Sequence, residues 1–252
     1  MSLRRRTIGA ILRFVDLART PRVGRLAISS TLLPTSWVGD RWRDWVIRLV
    51  GLTVAVLLFG NVAILAASGV ARLVVTQSGP PQAVPGIENF QAVDDHVWRG
   101  GLPSDDGYRA LAAAGVTTVV DLRSDYDAGD DALLRNLGIT LVRVPMRDGQ
   151  APIAAEVDKA LAAIDGSEGR VFVHCSAGVG RTGSVVALHL LRNHEDSRAG
   201  ALTRNLAVGP PSLEQIAFVL SARNGTPNQP NEAVVALSRF LDAPRQLWNR
   251  LT

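Results

Sequence analysis

Residues 49–71 read LVGLTVAVLLFGNVAILAASGVA, 23 positions without a charged side chain, with Asn61 the only strongly polar interruption. No other stretch limits the fold as tightly. Wound into a helix it reaches about 35 Å, more than the roughly 30 Å hydrocarbon core of a bilayer. A helix buried in a soluble core does not need so long an uninterrupted apolar run. A cleaved signal peptide is shorter, starts nearer the N-terminus and ends at a small-residue cleavage site. The run predicts one transmembrane helix over 49–71.

The charges flanking it predict an orientation. Arginine supplies 26 of the 27 basic residues, and Lys159 is the one lysine, a bias typical of GC-rich bacterial coding. Residues 1–72 carry 11 Arg against 3 Asp, whereas residues 73–252 carry 16 basic against 20 acidic side chains. The pI of about 10.1 therefore reports a basic N-terminal arm on an acidic remainder. No interleaving of aromatic and basic residues accompanies it, so no nucleic-acid partner is expected. Arg41, Arg43 and Arg48 precede the apolar run, and only Arg72 follows closely. The positive-inside rule then places residues 1–48 in the cytoplasm and the C-terminal domain on the other side. Residues 26–39 are mildly apolar but broken by Pro34, and read as an interfacial segment; a second crossing there would reverse the topology. Trp37, Trp42 and Trp45 suit the same interface. The single cysteine, Cys175, excludes an internal disulfide and a cysteine-based zinc site.

Past the apolar run, residues 72–86 form a turn-rich linker, and residues 87–252 make up the globular domain. Residues 90–99 suggest a short strand pair around Asp94 and Asp95. Ser104 is a suitable N-cap for a helix stopped by Gly115. Strands are predicted over 116–122, 139–144 and 170–174, and helices over 130–137, 153–164, 184–192, 199–206, 212–222 and 231–241. Strands alternating with helices argue an α/β fold, with a central, mostly parallel sheet flanked by helices.

The strand RVFVH leads into Cys175-Ser176-Ala177-Gly178-Val179-Gly180-Arg181-Thr182-Gly183 and then an apolar helix. A glycine-rich turn between strand and helix directs successive backbone N–H groups into one concavity, and the helix N-terminus adds positive potential. That is a cradle for a phosphate-sized anion, and the same field stabilises a thiolate at its mouth. Arg181, six residues after Cys175, can offer two parallel donors to phosphoryl oxygens, which a lysine cannot. Cys-x5-Arg alone is a weak signal. With His174 before the cysteine, Thr182 after the arginine, three glycines and the strand–helix setting, it becomes a specific one.

The segment V-H-C-S-A-G-V-G-R-T-G, residues 173–183, resembles the signature loop of the protein tyrosine phosphatase superfamily. The resemblance implies a tyrosine-phosphatase-like fold, a phosphocysteine intermediate, and neither metal nor other cofactor. Carried over position by position, it makes Cys175 the nucleophile and Arg181 the phosphate clamp. Ser176, Ala177, Gly178, Val179, Gly180 and Arg181 would bind the phosphate, Thr182 would assist thiolate departure, and His174 would order the cysteine. V-P-M-R-D-G-Q-A-P, residues 144–152, resembles the acid loop of compact dual-specificity members, with Asp148 as general acid. Asp125, Asp127, Asp130 and Asp131 are its competitors, while Asp121 and Arg123 read as structural. The absence of a Trp-Pro-Asp loop and of a recognisable phosphotyrosine-recognition loop points to the compact dual-specificity or atypical bacterial class. Arg99-Gly100-Gly101-Leu102-Pro103-Ser104 resembles the start of such domains. Gln215 would either position the hydrolytic water or sit exposed on a helix. His189 reads as packing or surface, and His96 and His194 form no metal pattern.

The expected function is a membrane-anchored phosphomonoesterase of the protein tyrosine or dual-specificity phosphatase type. Its substrate would be phosphotyrosine in protein, with a phosphoinositide or other phospholipid as the alternative. A silent phosphate-binding module has no use for an intact nucleophile.

Overall fold

A computed structural model describes residues 36–75, 83–126, 129–193, 195–223 and 225–251. The chain divides into two units, Met1–Arg48 and Leu49–Thr252. Only residues 36–48 of the first unit are described, and they are helical.

Helix α1 (Ser36–Val75) is a single 40-residue helix. Among the described residues it is the one helix long and apolar enough to cross a membrane, over Arg41–Val75. Leu49, Leu52, Leu58, Phe59 and Leu65 lie exposed along it. A large apolar surface without a protein partner is what a lipid-facing helix requires. The helix starts before the predicted span and also takes in residues 36–39; residues 26–35 lie outside the described residues. Within the second unit, Ser68 Oγ donates to Leu206 O at 2.7 Å, and Arg72 Nε and Nη2 donate to Ala207 O and Val208 O, each at 3.0 Å. Asn61 Nδ2 bonds back to Leu57 O at 2.9 Å and reaches Leu241 O at 3.4 Å. Of the predicted linker, residues 76–82 lie outside the described residues.

The sheet has five strands in the order β1-β2-β5-β3-β4. They are β1 (Gln91–Ala92), β2 (Val97–Gly100), β3 (Val116–Asp121), β4 (Thr140–Arg143) and β5 (Arg170–His174). Only β1 is antiparallel, forming the expected hairpin with β2; β2·β5, β3·β5 and β3·β4 are parallel. Strand β5 is central and its last four residues are buried. That matches its unbroken β-branched and aromatic sequence, since a strand covered on both faces does not alternate polar with apolar. Its side chains divide between two cores. Val171 and Val173 enter a core with Leu161, Val185, Leu188 and Phe218, whereas Phe172 joins Tyr108, Leu111, Val119 and Leu134 on the opposite face.

Helices α2 (Asp105–Ala113) and α3 (Gly129–Asn136) contribute to the second core, and α4 (Ala154–Asp165), α5 (Gly180–Arg192), α6 (Arg198–Val208) and α7 (Leu213–Ser221) to the first. Ser104 caps α2 by accepting from Gly107 N, and Gly115, at φ +85°, turns the chain into β3. Ser212 and Gln215 form a reciprocal capping box on α7. The last helix, α8 (Glu232–Leu251), runs ten residues past the predicted end at 241 and carries Pro244 inside it.

Candidate active site

The crossovers from β2 to β3 and from β4 to β5 bring the C-terminal ends of β2, β3 and β5 side by side. The segment leaving β5 therefore emerges at the edge where parallel sheets place their ligands. Residues 175–179 make the turn, and α5 begins at Gly180, earlier than predicted, so that Arg181 and Thr182 sit in its first turn. Three of the turn's carbonyls are engaged by donors from outside it. Ser176 O accepts from Leu102 N at 3.0 Å, Ala177 O from Asn89 Nδ2 at 2.9 Å, and Gly178 O from Arg99 Nη2 at 2.6 Å. With the carbonyls engaged on that side, the N–H groups are left for the concavity. Gly178 has φ +71°, and a Cβ on it would lie 2.3 Å from the Gly100 carbonyl carbon. Only glycine fits there.

Arg99 is a buried cation beneath the loop, 1% exposed, and its Nη2 also donates to Asn205 Oδ1 at 2.9 Å. Burial lowers its pKa to about 10, still well above neutrality, while Cys175 nearby opposes that shift. By sequence Arg99 stands only at the start of the Arg99–Ser104 motif, with no part in the site. A charged residue at the end of a four-residue strand, followed by two glycines, carries no periodicity that betrays burial; the signal was the close backbone approach those glycines imply.

His174 is fully buried. Its Nδ1 lies 3.3 Å from Cys175 O, its Nε2 3.5 Å from Tyr108 Oη and 3.9 Å from Asp121 Oδ1. Burial pushes its pKa down to about 4, against the pull of Asp121, so the ring is neutral near pH 7. Burial alone would raise the Asp121 carboxyl, but Arg123 holds it below the usual carboxylate range. Arg123 donates to Asp121 Oδ2 at 2.8 Å and to Asp130 Oδ2 at 2.9 Å. Asp121 and Arg123 thus close the end of β3.

A cavity of about 220 Å³ opens over the turn, lined by Asp148, Cys175, Ser176, Ala177, Val179, Gly180, Pro210, Pro211 and Gln215. Cys175 lies at its floor, 2% exposed. Arg181, 3% exposed, donates from Nη2 to Ser176 Oγ at 3.1 Å and pairs with Asp148 Oδ1 at 3.2 Å. Its Nη1 reaches Met146 O at 3.4 Å, and its buried Nε has no hydrogen-bond partner among the described residues. One edge of the fork is thus held in place and the other retains an open donor. Thr182 Oγ1 is likewise buried and without a hydrogen bond. Asp148 is the one competing acid on the cavity wall: Asp130 pairs with Arg123, Asp131 with Arg143 (Nη1 to Oδ2, 3.0 Å), Asp125 is exposed, and Asp127 lies outside the described residues. Gln215 is buried at 2%, not on an exposed helix face. Its amide occupies the space that a side chain on Gly180 would take, with Oε1 2.4 Å from where that Cβ would sit. His189 is buried as well, its Nε2 3.1 Å from Asp94 Oδ2. Glu195 brings a third ligand atom within 4.8 Å of that pair, and His194 lies outside the described residues.

The family model described as "DSP-PTPase phosphatase fused to NAD+ Kinase" matches residues 82–221, more than half of the chain. The chain belongs to this phosphatase family. The matched stretch of the phosphatase begins just before β1 and ends with α7, so α1 and α8 lie outside it. Over 99 residues it is 35% identical to NAD kinase 2, chloroplastic, of Arabidopsis thaliana, covering 36% of this chain and 10% of that one. Over 102 residues it is 32% identical to the human dual specificity protein phosphatase CDC14C, covering 38% of this chain and 22% of the relative. The phosphatase spans about a tenth of the plant relatives' length and a fifth of the human one's. Among solved structures, the core catalytic domain of the PP-IP phosphatase SIW14 from S. cerevisiae is 21% identical, with a TM-score of 0.49 over 56% of this chain and 90% of that one. TpbA of P. aeruginosa, in complex with phosphotyrosine, is 23% identical, with a TM-score of 0.46 over 62% of this chain and 94% of that one.

Proposed function

We propose that the chain is a cysteine-dependent phosphomonoesterase acting through a phosphocysteine, with protein phosphotyrosine as its first substrate class. The observation that carries this is the cavity with Cys175 on its floor, Arg181 behind it and Asp148 on its wall. Cys175 Sγ attacks phosphorus, the ester P–O bond breaks, and Asp148 gives its proton to the departing oxygen. Water then attacks the phosphocysteine, Asp148 takes its proton, the S–P bond breaks and inorganic phosphate leaves. Arg181 gives up Asp148 for the phosphoryl group, whose equatorial oxygens its fork follows into the transition state. The buried Thr182 hydroxyl is free to donate to the departing thiolate, and Gln215 is placed to orient the water. His174, neutral, orders the cysteine through its carbonyl.

The lining favours an aryl ester over a polyanionic headgroup. Val179, Pro210 and Pro211 give the cavity an apolar wall, and among the described residues no Lys or Arg lines it beyond the Arg181 behind the turn. A phosphoinositide carries further phosphates that would meet no cation there. In a panel of phosphotyrosine, phosphoserine and phosphothreonine peptides and phosphoinositide vesicles, phosphotyrosine peptides are expected to be turned over fastest. Faster release from the vesicles would reverse that assignment, and no turnover of any would leave a phosphate-binding module.

Residues 1–48 form the basic arm, 49–71 the membrane span, 72–86 the linker, whose residues 72–75 complete α1 rather than a turn, and 87–252 the catalytic domain, which the arginine imbalance would put outside the cytoplasm. The Asn61–Leu241 contact falls midway along residues 49–71, so a fully spanning helix and this contact are alternative arrangements. Protease added to intact, wall-stripped cells should digest the C-terminal domain; complete protection until lysis would put it in the cytoplasm.

A further inference from the structure

The segment after Asp148 is held by side chains. Gln215 Nε2 donates to Gln150 O at 3.2 Å. Ala151 N donates to Glu214 Oε1 at 3.0 Å, and Gln229 Nε2 donates to Pro152 O at 2.9 Å. One backbone group in each of three consecutive residues is thus tied, each to a different side chain. Two of these come from α7, and the third from the stretch beyond it, outside the matched region.

Glu214 is the centre of this arrangement. It is 3% exposed. A buried carboxylate is tolerated only when its charge and its oxygens are answered. One oxygen holds Ala151; the other makes no hydrogen bond and has Arg239 Nε of α8 at 3.5 Å. Ser238, also from α8 and buried, accepts from Glu214 N at 2.9 Å. Ser221 Oγ donates to Asn228 O at 2.8 Å, fixing the return of the chain towards Gln229. Three of these contacts end on residues 150–152, just past Asp148-Gly149, the others hold Glu214 and the stretch leading to Gln229, and none reaches Cys175 or Arg181.

We propose that the C-terminal tail is a strap that positions the general acid: Gln229, and Ser238 and Arg239 acting through Glu214, hold residues 150–152 so that Asp148 stands over the Cys175 cavity. These are positioning residues, and the inference rests on the reading of Asp148 as the acid. Misplacement of a proton donor by a fraction of an ångström slows only the chemistry that needs the proton.

The test uses the full chain in detergent and two substrates, p-nitrophenyl phosphate with a good leaving group and phenyl phosphate with a poor one. Asp148→Asn should lower phenyl phosphate turnover by about 10²-fold or more and p-nitrophenyl phosphate turnover far less. Glu214→Ala should act in the same direction, by about tenfold on phenyl phosphate and under about twofold on the other. Glu214→Gln keeps an acceptor for Ala151 N and should recover most of that loss. Combined with Asp148→Asn, Glu214→Ala should add nothing further. Equal losses on both substrates, or additivity in the double variant, would overturn the strap while leaving Asp148 as the acid. If Asp148→Asn itself fails to discriminate, the acid assignment and the strap fall together, and the Cys175 chemistry stands. Should Glu214→Ala not fold, Gln229→Ala, at an exposed position, decides on the same ratio, expected to drop about threefold.

Discussion

Cys175→Ser is expected to lower turnover by about 10⁴-fold or more while leaving phosphate and vanadate binding close to that of the unaltered chain. The two halves of this expectation have separate physical origins. A serine hydroxyl at that position is neutral and a poor nucleophile, and among the described residues no general base stands against Cys175 to activate it. The cradle, by contrast, is mostly main chain, and its carbonyls are tied by Leu102 N, Asn89 and Arg99, none of which involves the sulfur. Steady-state kinetics and calorimetric titration of vanadate measure the two halves. Mass spectrometry of the unaltered chain, denatured during turnover, should also find phosphate on the Cys175 peptide. Residual turnover within about tenfold of the unaltered chain would remove the cysteine from the mechanism.

Arg181→Lys should lose both rate and affinity, with kcat down by about 10²- to 10³-fold and vanadate affinity by about tenfold. Charge is conserved in this change, so what is lost is geometry. The guanidinium is anchored by Ser176 Oγ and Met146 O, and its Nε is the donor left open. An ammonium offers neither a second parallel donor nor a planar edge for those two anchors. It would also stay paired with Asp148 as a point charge, keeping the carboxylate in the place the phosphate must take. If the lysine variant turns over within about threefold of the original, Arg181 contributes charge alone and the clamp reading fails.

Some of this was legible in the sequence because local rules and tertiary demands agree there. RVFVH reads as a buried strand and is one. The glycines after it read as a turn pressed against other backbone, and Gly178 meets Gly100 in just that way. Ser104 and Gly115 bracket α2 as their chemistry requires. What escaped reading depends on contacts distant in the chain. Arg99 is buried because Gly178 O, 79 residues later, needs a donor. Gln215, read as either positioning a water or exposed on a helix, is buried where it bonds Gln150 O, 65 residues earlier. The helix predicted over 231–241 stops short of Pro244, whereas α8 passes through that proline and ends at Leu251. Asp148 lay between these cases: the prolines around it marked a loop and set it ahead of Asp130 and Asp131, and the structure puts it on the cavity wall while those two pair with Arg123 and Arg143 away from that wall.

The outward-tied loop has one more consequence. Its shape is set by Arg99, Asn89, Leu102 and the Gly178–Gly100 contact, all supplied by the protein itself. A preformed cradle binds whatever fits it, and the inorganic phosphate left after hydrolysis fits as well as the phosphoryl group of the ester. In the proposed hydrolysis the loop would therefore hold product as well as ester, and would give no preference for ester over product. That preference must come from the part of the ligand the cradle never touches, which leaves Val179, Pro210 and Pro211 as the surfaces where substrate and product are told apart.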